Sequence, residues 1–114
     1  MKAHILAGMV IVALGATVVA VPDAMAFDEK AAKALAKRND CFKCHAVDKT
    51  KKGPSYKKIA AKYKDKPDAE AKMNEQITKE HKVKLEDGTE ETHKVIDTQD
   101  AAEIKNLLDW IRAQ

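Results

Sequence analysis

CFKCH, residues 41–45, places two cysteines one helical turn apart and a histidine directly after the second. A Cys-x-x-Cys pair alone has three readings: a thioredoxin-like redox couple, half of a zinc site, or part of a haem attachment site. The redox couple expects a βαβ frame, and no strand pattern here is long enough to build a sheet. Zinc needs two further Cys or His ligands at suitable spacing, and past residue 26 the histidines left besides His45 are His81 and His93. A disulfide closing so short a loop would constrain the unfolded chain very little. Haem fits the full pentapeptide: two thiols on one turn can add to the two vinyl groups of a porphyrin, and the adjacent imidazole then reaches the iron.

The N-terminus agrees with attachment outside the cytoplasm. Lys2, an apolar run from Ile5 to Val21 and the small-x-small sequence Ala24-Met25-Ala26 read as a secretory signal peptide over residues 1–26, cleaved near Ala26. Removing 26 of the 114 residues leaves 88, one domain at 27–114. A chain that short buries roughly 60–65% of its unfolded surface and commonly leans on a cofactor for stability. A covalent haem would supply the missing core as a large apolar plate.

Four segments read as helices. Asp28 to about Asn39 is rich in Ala and Lys, with Ala31/Leu35 and Ala32/Ala36 at i, i+4 spacing, a thin face suited to a bulkier partner. After Gly53-Pro54-Ser55, Tyr56, Ile59, Ala60 and Tyr63 form a short apolar stripe. Lys66-Pro67-Asp68 breaks the pattern and offers an N-cap to a third helix carrying Ala69, Met73 and Ile77. Asp97 or Thr98 can cap the last helix, whose stripe is Ile104, Leu107, Leu108 and Ile111 with Trp110 at its edge. Between the third and fourth helices, KVKLEDGTEETHKV (82–95) reads as a short β-hairpin centred on Asp87-Gly88.

From CFKCH through KKGPSYKKIAAKY to the terminal LLDWIRAQ, nearly all of the chain past residue 26 resembles a small bacterial class I cytochrome c. The resemblance implies an all-α fold of about four helices around one covalent haem c. It makes Cys41 and Cys44 the thioether positions and His45 the proximal iron ligand. It also makes Pro54 the carbonyl that receives the Nδ1–H of His45, fixing the tautomer and raising the basicity of the ring.

The sixth ligand departs from that pattern. The family supplies a methionine on the loop before the last helix, and this chain has no Met after Met73. Met73 itself falls on the apolar face of its helix, where an adaptable core filler is expected. Family ligands lie roughly sixteen residues before the C-terminal aromatic; His93 lies 17 before Trp110 and His81 lies 29 before it. His93 is therefore the expected distal ligand, with His81 as second candidate.

Two hairpin registers are open. A three-residue Glu86-Asp87-Gly88 turn pairs Leu85 with Thr89, puts Val83, Leu85, Glu91 and His93 on one face, and sets His81 opposite His93. A two-residue Asp87-Gly88 turn pairs Lys84 with Glu91 and turns His93 away from Val83 and Leu85.

The implied function is a periplasmic monohaem electron carrier with no substrate chemistry. Replacing a thioether by a second imidazole, a stronger σ-donor, lowers the expected potential relative to Met-ligated members. The rival reading is a haem sensor or small-ligand-binding protein with a labile or absent sixth ligand. A formal charge of +3 from a lysine-rich surface suits donor and acceptor proteins with acidic docking patches, Lys43, Lys49, Lys51, Lys52, Lys57 and Lys58 being nearest the attachment site in sequence. No basic stripe interleaved with aromatics points to nucleic acid, and no membrane insertion is expected once the signal peptide is removed.

Overall fold

The computed structural model describes residues 15–18 and 26–114. The expected signal peptide therefore lies almost wholly outside the described residues. Among those described, the order is α1 (Glu29–Arg38), α2 (Cys41–Cys44), α3 (Tyr56–Tyr63), α4 (Ala69–Thr78), β1 (Lys82–Lys84), β2 (Glu90–Thr92) and α5 (Ala101–Arg112). The four expected helices and the hairpin are present, and the Cys-x-x-Cys turn is itself the fifth, one-turn helix.

Helix α1 opens on Asp28, whose carboxylate accepts from the Ala31 N–H at 2.9 Å. Glu29 in the first turn and Lys37 and Arg38 in the last complement the helix dipole. Its buried stripe is Ala32, Leu35 and Ala36. The two alanines are fully buried and let the α1 backbone come close to α5. Asn106 of α5 clasps the start of α1 with two bonds: Asp28 N–H donates to its Oδ1 at 2.7 Å, and its Nδ2 donates to the Asp28 carbonyl at 2.9 Å.

Helix α5 buries Ile104, Leu107, Leu108, Trp110 and Ile111. Trp110 stands at the centre of packing rather than at the edge, with edge-on rings of Tyr56 at 5.2 Å and Phe42 at 6.2 Å. The cap is Asp100, which accepts from the N–H groups of Ala102 and Glu103. Neither expected cap serves. The Asp97 carboxylate is drawn away to Arg38 and Asn39, and Thr98 Oγ1 donates to Glu103 and accepts from the Asp100 N–H.

Ser55 caps α3 through the Lys58 N–H. Asp68 stands at the N-cap of α4 but makes no capping bond, because its carboxylate pairs with Lys72 one turn on. Met73 is buried in the core, as its place on the apolar stripe implies.

The hairpin takes the three-residue register. Lys82, Val83 and Lys84 oppose Thr92, Glu91 and Glu90, and Leu85 N–H donates to Thr89 O at 2.8 Å. Gly88 has φ of 86°, a left-handed conformation that costs glycine little. Asp87 holds the turn by accepting from both the backbone N–H and the hydroxyl of Thr89. The ladder runs on past the strands, since His93 N–H donates to His81 O at 2.9 Å.

Candidate haem site

A cavity of about 470 Å³ opens between the Cys-x-x-Cys turn, α3, α4, the hairpin and α5. Its walls are largely apolar, with Ile59, Met73, Ile77, Leu107, Leu108 and Ile111 among them. Cys41, Cys44 and His45 line one side. Val83, Leu85, Glu91 and His93, the four residues that the three-residue register puts on one face, all line the other. Such a chamber, apolar with a few placed polar groups, suits a large flat apolar ligand.

The approach to the cysteines is set by an unusual backbone. Asp40 has φ of 59°, so the chain turns sharply between the end of α1 and Cys41. Asn39, 1% exposed, holds that corner: its Nδ2 donates to Leu35 O and to Asp97 Oδ1, both at 3.0 Å, and its Oδ1 accepts from Asp97 N–H at 2.9 Å. Cys41 and Cys44 are not bonded to each other. Burial pushes the Cys41 thiol up from its ordinary value.

His45 lies against Tyr56, with ring centres 5.4 Å apart. Its Nδ1 is 2.6 Å from the Pro54 carbonyl. A carbonyl only accepts, so Nδ1 carries a proton, and in the neutral tautomer this leaves the lone pair on Nε2. Gly53 is needed for the fit: a Cβ there would lie 2.9 Å from His45 Cε1 and 3.2 Å from Nδ1.

His93 answers from the opposite wall. Its Nδ1 donates to the Lys94 carbonyl at 3.0 Å, again leaving Nε2 as a lone pair. Burial lowers its pKa, the bond to the Lys94 carbonyl opposes that shift, and the neighbouring His81 and His45 add to the lowering, which favours the neutral ring. The His45 and His93 ring centres are 6.3 Å apart. Two imidazoles bound to one metal from opposite sides place their ring centres about 6.2 Å apart, from two metal–nitrogen bonds of about 2.0 Å and ring centres about 1.1 Å beyond each nitrogen. The observed separation is close to that distance.

His81 stacks on His93, ring centres 5.2 Å apart and planes 17° apart, and is not among the residues lining the cavity. Its Nδ1 donates to Lys79 O at 2.9 Å, and its Nε2 is buried without a partner among the described residues.

The cytochrome c sequence profile matches residues 29–114. The chain belongs to the cytochrome c family. Members of this family are haem-containing electron carriers, and the cofactor here is one covalently bound haem c. The structure is similar to that of the class 1 cytochrome MtoD from Sideroxydans lithotrophicus ES-1, at 55% identity and a TM-score of 0.73 over 76% of this chain and 96% of that one. It is also similar to wild-type cytochrome c552 of Nitrosomonas europaea, at 35% identity and a TM-score of 0.56 over 70% of this chain and 95% of that one. By sequence alone, 35 residues are 57% identical to cytochrome c-552 of Nitrosomonas europaea, spanning 31% of this chain and 34% of that protein.

Some features of this cytochrome c site were not read from sequence. The role of Asn39 is one of them, its one sequence signal being an Asn just past a helix end, a common C-cap. Of the lysines near the attachment site in sequence, Lys43 and Lys52 line the cavity, while Lys51 donates to the Phe42 carbonyl at 2.6 Å. Lys62, Lys84 and Lys94 also line it, brought there by α3 and the hairpin.

Proposed function

We propose that this protein is a periplasmic monohaem cytochrome c that passes single electrons between proteins, with His45 and His93 as the two axial ligands. The 6.3 Å separation of these two rings, each with its Nδ1 proton held by a backbone carbonyl, carries the reading. Cys41 and Cys44 hold the haem through thioethers. Haem bound in this way supplies a ferric/ferrous couple.

The chain's own residues do the rest. Pro54 and Gly53 lock the His45 ring, and the bond to a carbonyl raises its basicity. The hairpin brings His93 to the far side, and the apolar walls exclude water. With His45 and His93 both holding the iron, its potential would lie below that of Met-ligated relatives. A domain beginning at residue 27 is supported by the first residues past the expected cleavage point. Phe27 packs against the core and Asp28 is clasped by Asn106. Among the described residues no helix is long and apolar enough to cross a membrane.

Lys43, Lys52, Lys62, Lys84 and Lys94 around the cavity suit acidic patches on donor and acceptor proteins. Reaction rates with an acidic redox protein fall as ionic strength rises; rates indifferent to salt would remove this docking role. The ligand assignment is tested by low-temperature EPR and near-infrared spectra of the holoprotein. The wild type shows a low-spin bis-imidazole signal, and His93→Ala loses it and binds CO rapidly when reduced. An unchanged bis-imidazole signal in His93→Ala would sink the assignment, and rapid CO binding to the wild type would favour a sensor.

A further inference from the structure

Three imidazoles stand in a row, His45, His93 and His81, and the function proposed above uses the first two. We infer that His81 is a positioning residue for His93, setting the plane in which the His93 ring stands; this rests on His93 being an axial ligand.

The restraints on the two ligand rings differ in kind. His45 is fixed from outside its own turn, by the Pro54 carbonyl at 2.6 Å and by the Gly53 backbone against Cε1. His93 bonds to the carbonyl of Lys94, its own neighbour in sequence, at 3.0 Å. That bond moves with the loop and gives no external reference. The external reference is the His81 ring, nearly parallel at 17°.

His81 is itself well anchored. The His93 N–H to His81 O bond makes the two residues a cross-strand pair, so their side chains project to the same side of the ladder. The His81 ring is held by the Lys79 carbonyl at 2.9 Å. Lys79 is the C-cap of α4, and its N–H donates to Glu75 O at 3.0 Å. Orientation therefore passes from the end of a packed helix, through Lys79 and His81, to the face of His93.

The ligand planes that result are 49° apart. Each axial imidazole donates π density in the direction normal to its ring, so the angle between planes decides how the iron dπ levels split. Parallel rings act on one orbital and give a wide splitting with a rhombic g tensor. Perpendicular rings act on two orbitals equally and give a narrow splitting with a large, highly anisotropic low-spin g value. An angle of 49° sits between these limits, and the His81 stack holds it there.

The test is low-temperature EPR of the ferric holoprotein at one pH for wild type, His81→Ala and His81→Phe. Removing the ring in His81→Ala shifts the largest g value while the near-infrared band remains that of two imidazoles. His81→Phe keeps a flat ring in place and retains a g value near that of wild type. Wild-type g values in His81→Ala would overturn the inference, as would an equal shift in both variants. Loss of the bis-imidazole band in His81→Ala would overturn it differently, making His81 the ligand. A wild type lacking the bis-imidazole band fails the underlying ligand assignment instead, so the two failures are read apart.

Discussion

Replacing Asn39 by alanine should both destabilise the protein and loosen the wall that carries His93. Asn39 is 1% exposed and makes three side-chain hydrogen bonds, two to Asp97 and one to Leu35. In the variant the Leu35 carbonyl keeps the Asn39 backbone N–H, at 3.2 Å. The Asp97 backbone N–H keeps nothing. One orphaned donor costs about 1–3 kcal/mol and each lost bond about 1 kcal/mol net, and water entering the space left by the side chain recovers part of this. A loss of about 2–4 kcal/mol is expected, a large fraction of the roughly 5–15 kcal/mol that holds such a domain together. Guanidinium unfolding of the ferric holoprotein measures it.

Asp97 lies four residues past His93, and the intervening Ile96 N–H is pinned to Ile77 O at 2.8 Å. Freeing the Asp97 end should therefore raise the rate at which CO reaches reduced iron, while the contacts of His45 remain. The double variant with Asp97→Ala should lose less than the sum of the single losses, because the two residues share bonds. A loss under about 0.5 kcal/mol, within the range of an ordinary surface substitution, would refute the account, as would strict additivity.

Two further outcomes can be checked. Gly53→Ala forces the His45 ring off the Pro54 carbonyl, since a Cβ would lie 2.9 Å from Cε1. The weakened donor should raise the midpoint potential, by about 59 mV if the preference for ferric iron falls tenfold, and voltammetry reading no rise would contradict the role given to Gly53. Acid stability should depend on Asp97, held below its ordinary 3.8 first by the bond from Arg38 and then by that from Asn39. A carboxylate that is more acidic when folded stabilises above its unfolded pKa, and that stability is lost as pH falls through the lower folded value. Wild type should accordingly lose stability below about pH 4 more steeply than Asp97→Asn; parallel curves would show that the bridge to Arg38 contributes nothing.

What the sequence made legible was mostly local. The helix stripes, the Ser55 cap and the Asp-Gly turn each depend on residues within one or two turns of one another. The hairpin shows where that stops, because two registers fit the same letters. The three-residue turn prevails as Asp87 takes both donors of Thr89 and Gly88 accepts φ of 86°. The α5 cap departs from the sequence expectation for the opposite reason. Asp97 has partners 58 and 59 residues away, and a buried Asn39 with Arg38 beside it outcompetes the local helix end. A helical stripe marks only its own centre line, which puts Trp110 at the rim when α5 is read alone. Phe42 and Tyr56, which extend the core around it, belong to other elements. Site residues followed the same division. The family resemblance points to His93 through its distance from Trp110, whereas its approach to His45 and its stack on His81 are products of the folded chain.

The contact between His45 and Pro54 spans nine residues, whereas His93 meets His45 across 48. Closing the longer loop costs about 1.5 kcal/mol more chain entropy. The two walls of the iron site are therefore unequal in durability: one is a tight local loop, the other an appointment kept by distant parts of the chain. Partial opening should part the His93 wall before it disturbs the His45 loop. Hydrogen exchange should read this ordering, the Asp97 amide, bonded to Asn39 Oδ1 across 58 residues, exchanging before the Gly53 amide bonded to Cys44.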